Sequence, residues 1–93
     1  MVIWSEVAKE DLSHIFSFIA NDSRLYAFKV VDEIIELSER LVKFPLIGKR
    51  VKELHNNDIR EIPVYSYRLI YQVSGVDVQI VTIVHMKRKN FKL

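Results

Sequence analysis

The sequence predicts an α+β fold: a short opening strand, two consecutive helices, then three or more strands. Three observations carry that expectation. Apolar residues recur at helical spacing through the first half of the chain, from Ala8 to Val42. From Ile59 onward, aromatic and β-branched residues alternate with polar ones at a period of two, as in half-buried strands. Phe44-Pro45 separates the two regimes, because proline removes a backbone donor and disfavours helix in the residue before it.

Taken in order, Met1 to Trp4 is apolar and long enough for one brief strand. Ser5 is a suitable N-cap, and Glu6 in the first turn suits the helix dipole. Ala8, Leu12, Ile15, Phe16 and Ile19 form a stripe roughly 100° wide, which fits a helix with one buried side. Asn21-Asp22-Ser23 ends that helix and caps the next, expected over Arg24 to Lys43. The second helix carries apolar residues over half its circumference, from Phe28, Ile35 and Val42 round to Val30 and Leu37. A stripe that wide implies two neighbours, the first helix and the sheet, or else a dimer or coiled-coil surface. Its polar arc places Glu36 with Arg40 and Glu39 with Lys43, each pair worth about 0.2–0.5 kcal/mol.

Gly48 permits a tight turn after the helix. Arg50 to Leu54 reads as a short strand, His55 to Asp58 as a turn, and Ile59 to Val64 as a strand that Pro63 confines to an edge, an end or a bulge. Tyr67 to Val73 is the clearest strand. Tyr67, Leu69, Tyr71 and Val73 share one face and are expected against the helices, leaving Arg68, Ile70 and Gln72 on the other. Ser74-Gly75 turns the chain into a last strand, Val76 to His85. Strict alternation there puts Val78 and Ile80 on one side and Asp77, Gln79, Val81, Ile83 and His85 on the other. Arg68 would then share a part-apolar, part-cationic open face with Val81, Ile83 and His85.

The 93 residues suffice for one domain, expected to span 1–93, and the 49% hydrophobic share argues for a folded chain. The absence of cysteine excludes disulfides and thiolate metal sites and fits a reducing cytoplasm. No signal-peptide pattern opens the chain and no apolar run approaches a membrane span, so a cytoplasmic protein without membrane contact is expected. The net charge of +2 is unevenly placed: Lys87, Arg88, Lys89 and Lys92 follow His85 with no acid among them. Such an end suits a polyanion, or is a solvated basic tail.

No catalytic motif appears. Two glycines cannot build a phosphate loop, and His14, His55 and His85 are too scattered for a metal site, so neither cofactor nor metal is expected. What remains is a set of cations, Arg60, Arg68, His85, Lys87 and Arg88, with Glu53 and Glu61 as the nearby acids. Such a group can bind phosphate through charge-assisted hydrogen bonds. It can also assist RNA cleavage, with arginine stabilising the phosphorane and histidine supplying a proton.

Four segments resemble the RelE/ParE superfamily, the toxins of bacterial type II toxin–antitoxin modules: IWSEVAKEDLSHIFSFIA, FPLIGKRVKEL, IREIPVYSYRLIYQV and IVTIVHMKR, in the family's order. The resemblance implies a helical hairpin packed on a mainly antiparallel sheet, and a co-encoded antitoxin that wraps the toxin. The superfamily divides into RelE-like members, which cut mRNA on the ribosome, and ParE-like members, which poison DNA gyrase. Arg68, within YRLIY, and Arg88 match arginines of the nuclease branch. For a nuclease, the catalytic candidates are Arg68 and Arg88, which the resemblance would make transition-state stabilisers, with His85 and Glu53 as the acid and base to test. That branch's lysines on the preceding strand have no clean match, since Arg60 and Glu61 lie there, and the tyrosine after its last strand is missing, with only Phe91 nearby. Arg60-Glu61, the HMKR ending and the opening helix point instead to the ParE side. The residues expected to touch the target are Arg60, Arg68, Lys87, Arg88 and Lys89. Those expected to touch the antitoxin are Arg68, Val81, Ile83 and His85. A nucleic-acid-binding module or a purely protein-binding domain would need only part of this set.

Overall fold

The computed structural model describes residues 1–88. Strand β1 (Val2–Trp4) leads through Ser5 into α1 (Glu6–Ala20) and α2 (Arg24–Lys43), followed by β2 (Lys49–Arg50), β3 (Ile59–Val64), β4 (Tyr67–Ser74) and β5 (Asp77–His85). The five strands form one sheet in the order β1-β5-β4-β3-β2. All neighbours are antiparallel except β1, which runs parallel to β5 with Val2 opposite Val78.

Both helices begin where cap chemistry places them. The Ser5 hydroxyl accepts from the Ala8 N–H at 3.0 Å, and the Ser23 hydroxyl from the Tyr26 N–H at 3.1 Å. Each satisfies one donor that the first helical turn leaves open. The main core lies between the helical hairpin and one face of the sheet, where Ala8, Ile15, Val30, Ile34, Leu37 and Leu41 meet Leu69, Tyr71, Val78, Ile80 and Ile83. The expected helix-facing set of β4 is therefore the observed one. The outer part of the apolar arc of α2 is left uncovered, with Phe28, Ile35 and Val42 all exposed.

Two local expectations fail. Only Lys49 and Arg50 pair as a strand, against Glu61 and Arg60, rather than the whole of Arg50 to Leu54. Val51 turns inward, and the segment from Val51 to Asp58 lies as a strap across the second face of the sheet. There Val51, Ile70 and Val84 form a smaller cluster, flanked by Leu54, Ile59 and Val81. That face is therefore partly covered.

The second failure is the phase of β5. Tyr71 lies opposite Ile80 but Ile70 lies opposite Thr82, so β5 holds one extra residue at Val81. Beyond this β-bulge the side chains exchange faces. The first turns of α1 hold the bulge: Ser5 donates its hydroxyl to the Val81 carbonyl at 2.7 Å, and the Asp11 carboxylate accepts from the Thr82 hydroxyl and the Ile83 N–H.

Candidate functional site

Arg68 sits between Tyr67 and Leu69, which both pack toward the helices, so its guanidinium emerges on the strap face. Its Nη1 donates to Glu61 Oε2 at 3.0 Å, and its Nη2 lies 3.6 Å from Glu53 Oε2. Glu61 is only 6% exposed. A carboxylate so far from water needs a paired cation, and Arg68 supplies it, with Lys49 Nζ more distant at 3.9 Å. The structure thus brings Arg68 to both acids named in the sequence, Glu61 closely and Glu53 at longer range. A phosphate approaching Arg68 would have to displace one or both carboxylates.

Arg60 lies opposite Tyr71, a core residue of the helix-facing side, and works there. Its Nη1 donates to the Gly48 carbonyl at 2.7 Å and more weakly to that of Leu46 at 3.4 Å. The Tyr71 hydroxyl completes this clamp by donating to the Pro45 carbonyl at 2.8 Å and accepting from the Gly48 N–H at 2.9 Å. Burial pushes the Tyr71 hydroxyl pKa above its ordinary value, and the Gly48 N–H partly offsets the rise. A Cβ at Gly48 would come within 2.6 Å of both Glu61 O and Tyr71 Oη, so the close approach demands glycine. Arg60 and Arg68 do not converge: they hold opposite sides of the sheet.

The bulge redistributes the remaining candidates. Val81 stays on the strap face beside Ile70, whereas Ile83 is buried in the helix-side core and cannot line an open surface. His85 also turns to the helix side, where its ring meets Tyr67 edge to face at 5.6 Å. The residue across from Arg68 is Val84. The expectation that Arg68, Val81, Ile83 and His85 share one face is therefore corrected, because strict alternation does not survive an inserted residue. Lys87 and Arg88 are exposed in the turn that follows β5, where the Arg88 N–H donates to the His85 carbonyl. Lys89 lies outside the described residues. Among the described residues, no three His, Asp or Glu side chains converge as metal ligands.

Near His85, the two-residue turn Tyr65-Ser66 joins β3 to β4, with Tyr65 at φ 54°. Such turns require positive φ, which a bulky side chain rarely adopts. A hydrogen bond from the Tyr65 hydroxyl to the Glu33 carboxylate holds the phenol protonated, pushing its pKa up to about 12. Tyr26 stacks edge to face against the same ring at 6.0 Å.

A second cationic group went unnoticed in the sequence reading, although three cations in GKRVK signal it. Lys49, Arg50, Lys52 and His55, with Asn56 and Asn57, line a concavity of about 490 Å³ where the strap leaves β2.

Arg68 and Glu53 occupy one face of the sheet and His85 the other. The comparisons with known proteins agree with the fold. The chromosomal ParDE system of P. aeruginosa matches with a TM-score of 0.73 at 21% identity, over 90% of this chain and 92% of that one. A chain of the RelBE2 toxin–antitoxin complex from Mycobacterium tuberculosis matches at 0.69 and 19% identity, over 91% and 95%. The isolated E. coli RelE toxin matches at 0.68 and 18% identity, over 96% and 86%. No curated protein sequence matches significantly. The profile of the family described as "ParE toxin of type II toxin-antitoxin system, parDE" matches residues 2–90. Nearly the whole chain carries that profile, on the fold these structures share, and the chain belongs to the ParE toxin family.

Proposed function

We propose that the chain is a growth-arresting toxin of the ParE type, which inhibits DNA gyrase in the cytoplasm and is neutralised by a cognate antitoxin. The observation that carries the choice of target is the state of Arg68. Its charge is already shared by Glu61 and Glu53, and the histidine that would assist it in RNA cleavage lies across the sheet. Transition-state stabilisation needs donors aimed at developing charge, not donors occupied by carboxylates. The antitoxin is inferred from family membership and from the toxin–antitoxin complex among the similar structures. An acidic antitoxin segment on the strap face would meet Arg68 and Val81, with Lys87 and Arg88 beyond the end of β5.

A RelE-like reading draws on one observation, the placement of Arg68 in YRLIY on a central strand of a fold shared with E. coli RelE. Induction in growing cells separates the two. Gyrase inhibition gives double-strand breaks and an SOS response while bulk mRNA stays intact. Ribosome-dependent cleavage gives truncated transcripts within minutes and no early DNA damage. Transcripts cut in the ribosomal A site would sink the gyrase reading.

A further inference from the structure

We propose that the concavity between β2 and the strap, lined by Lys49, Arg50, Lys52 and His55, is a binding site for a phosphodiester backbone. It is distinct from the Arg68 group and stands whichever target the toxin has. Lys49 and Arg50 form the edge strand, Lys52 and His55 follow within the strap, and all four residues border the hollow. The acids Glu53 and Glu61 nearby are engaged with Arg68. Glu53 is directed to Arg68, and Glu61 pairs with Arg68 more closely than with Lys49, whose side chain stays 70% exposed.

Two further observations point to an anionic ligand. Arg50 lies directly opposite Arg60 in the β2–β3 pair, a like-charge placement that is unfavourable across strands. Arg60 turns away to the Gly48 and Leu46 carbonyls, which leaves Arg50 at the hollow. The hollow is also preformed. Val51 is buried beneath it, Arg50 Nη1 donates to Asn57 Oδ1 at 2.7 Å, the Asn56 side chain accepts from the Asp58 N–H, and His55 holds φ 48°. The strap backbone and Arg50 are thus held before a ligand arrives, which lowers the cost of binding.

A phosphodiester backbone can come from duplex DNA or from single-stranded RNA, and the test uses both.

The test is fluorescence anisotropy of the purified toxin with a labelled 20-base-pair DNA duplex and a labelled 20-nucleotide RNA, titrated at several salt concentrations. Binding by the wild type should weaken with salt. The logarithmic slope should become shallower by about 0.9 on duplex, or about 0.7 on single strands, for each of Lys49→Ala and Lys52→Ala. Lys49→Ala/Arg50→Ala/Lys52→Ala should abolish binding while circular dichroism stays unchanged. If that variant unfolds, Lys52→Glu alone decides, since Lys52 is exposed. Lys29→Ala on α2 is the control and should bind as the wild type does. Tighter binding of one nucleic acid identifies the source of the backbone. No binding of either by the wild type, retained affinity in the folded triple variant or in Lys52→Glu, or an equal loss on Lys29→Ala would each overturn the site.

Discussion

The pairing of Glu61 with Arg68 sets the terms on which mutants of this toxin can be read. Glu61 is nearly inaccessible, so Arg68→Ala strands a buried carboxylate and should cost about 3–5 kcal/mol in chemical denaturation. Replacing both, as Glu61→Leu with Arg68→Met, should recover most of that loss. A loss of toxicity on Arg68→Ala is therefore interpretable only beside the double variant: toxicity restored with stability would mark Arg68 as a structural cation. Tyr71 offers a second case. Tyr71→Phe leaves the Gly48 N–H and the Pro45 carbonyl unmatched and should cost about 1–3 kcal/mol. The folded protein also holds the Tyr71 proton more tightly than an unfolded tyrosine, which ionises near 10.0. Its contribution is complete below that pH and is lost as pH rises through the higher folded value. The contribution of Tyr71 should hold up to about 10 and then fall, so that stability drops less steeply above that pH in Tyr71→Phe; Tyr65 and Tyr67, both raised too, act in the same direction.

Among the elements, β5 departs most from its sequence pattern. Ile80-Val81-Thr82-Ile83-Val84 is apolar on both phases, so either face assignment satisfies hydrophobicity, and the choice falls to Ser5 and Asp11 far away in the chain. No local reading could find those partners. Arg60 was illegible for a related reason: its acceptors are backbone carbonyls, which carry no side-chain signature. The helices, by contrast, were legible to their caps, because Ser5 and Ser23 act on residues three positions away. So was the helix face of β4, where Tyr67, Leu69 and Tyr71 alternate without interruption. Asp11→Ala should release the bulge's two donors and cost about 1–3 kcal/mol. A melting temperature equal to wild type would show that the bulge holds without its clamp.

At the scale of the whole molecule, the sheet is a partition between unequal cores, a large one toward the helices and a small one, Val51, Ile70 and Val84, toward the strap. Leu69→Ala or Ile34→Ala, both fully buried in the larger, should cost about 2–5 kcal/mol, and a chain of this size would lose several degrees of melting temperature per kcal/mol. The cations divide along the same partition. Arg60 is committed to the 44–48 loop and Arg68 to its two carboxylates, while Lys49, Arg50 and Lys52 stay exposed. The sequence revealed how many cations there are but not which of them fold into the protein's own framework, since that depends on pairings across strands.

The parallel seam between β1 and β5 has a consequence in time. Ser5 donates to Val81 across 76 residues, and among the described residues β1 has no other strand to pair with. During synthesis the first strand and both helices leave the ribosome long before the partner that completes the sheet, and non-local pairing of this kind is slow to close. Nascent chains stalled before Asp77 should therefore remain open to protease within α1, whose Ala8 and Ile15 share a core with Val78, Ile80 and Ile83. The sheet that carries Arg68 and its carboxylate partners is therefore complete only once the fifth strand has arrived.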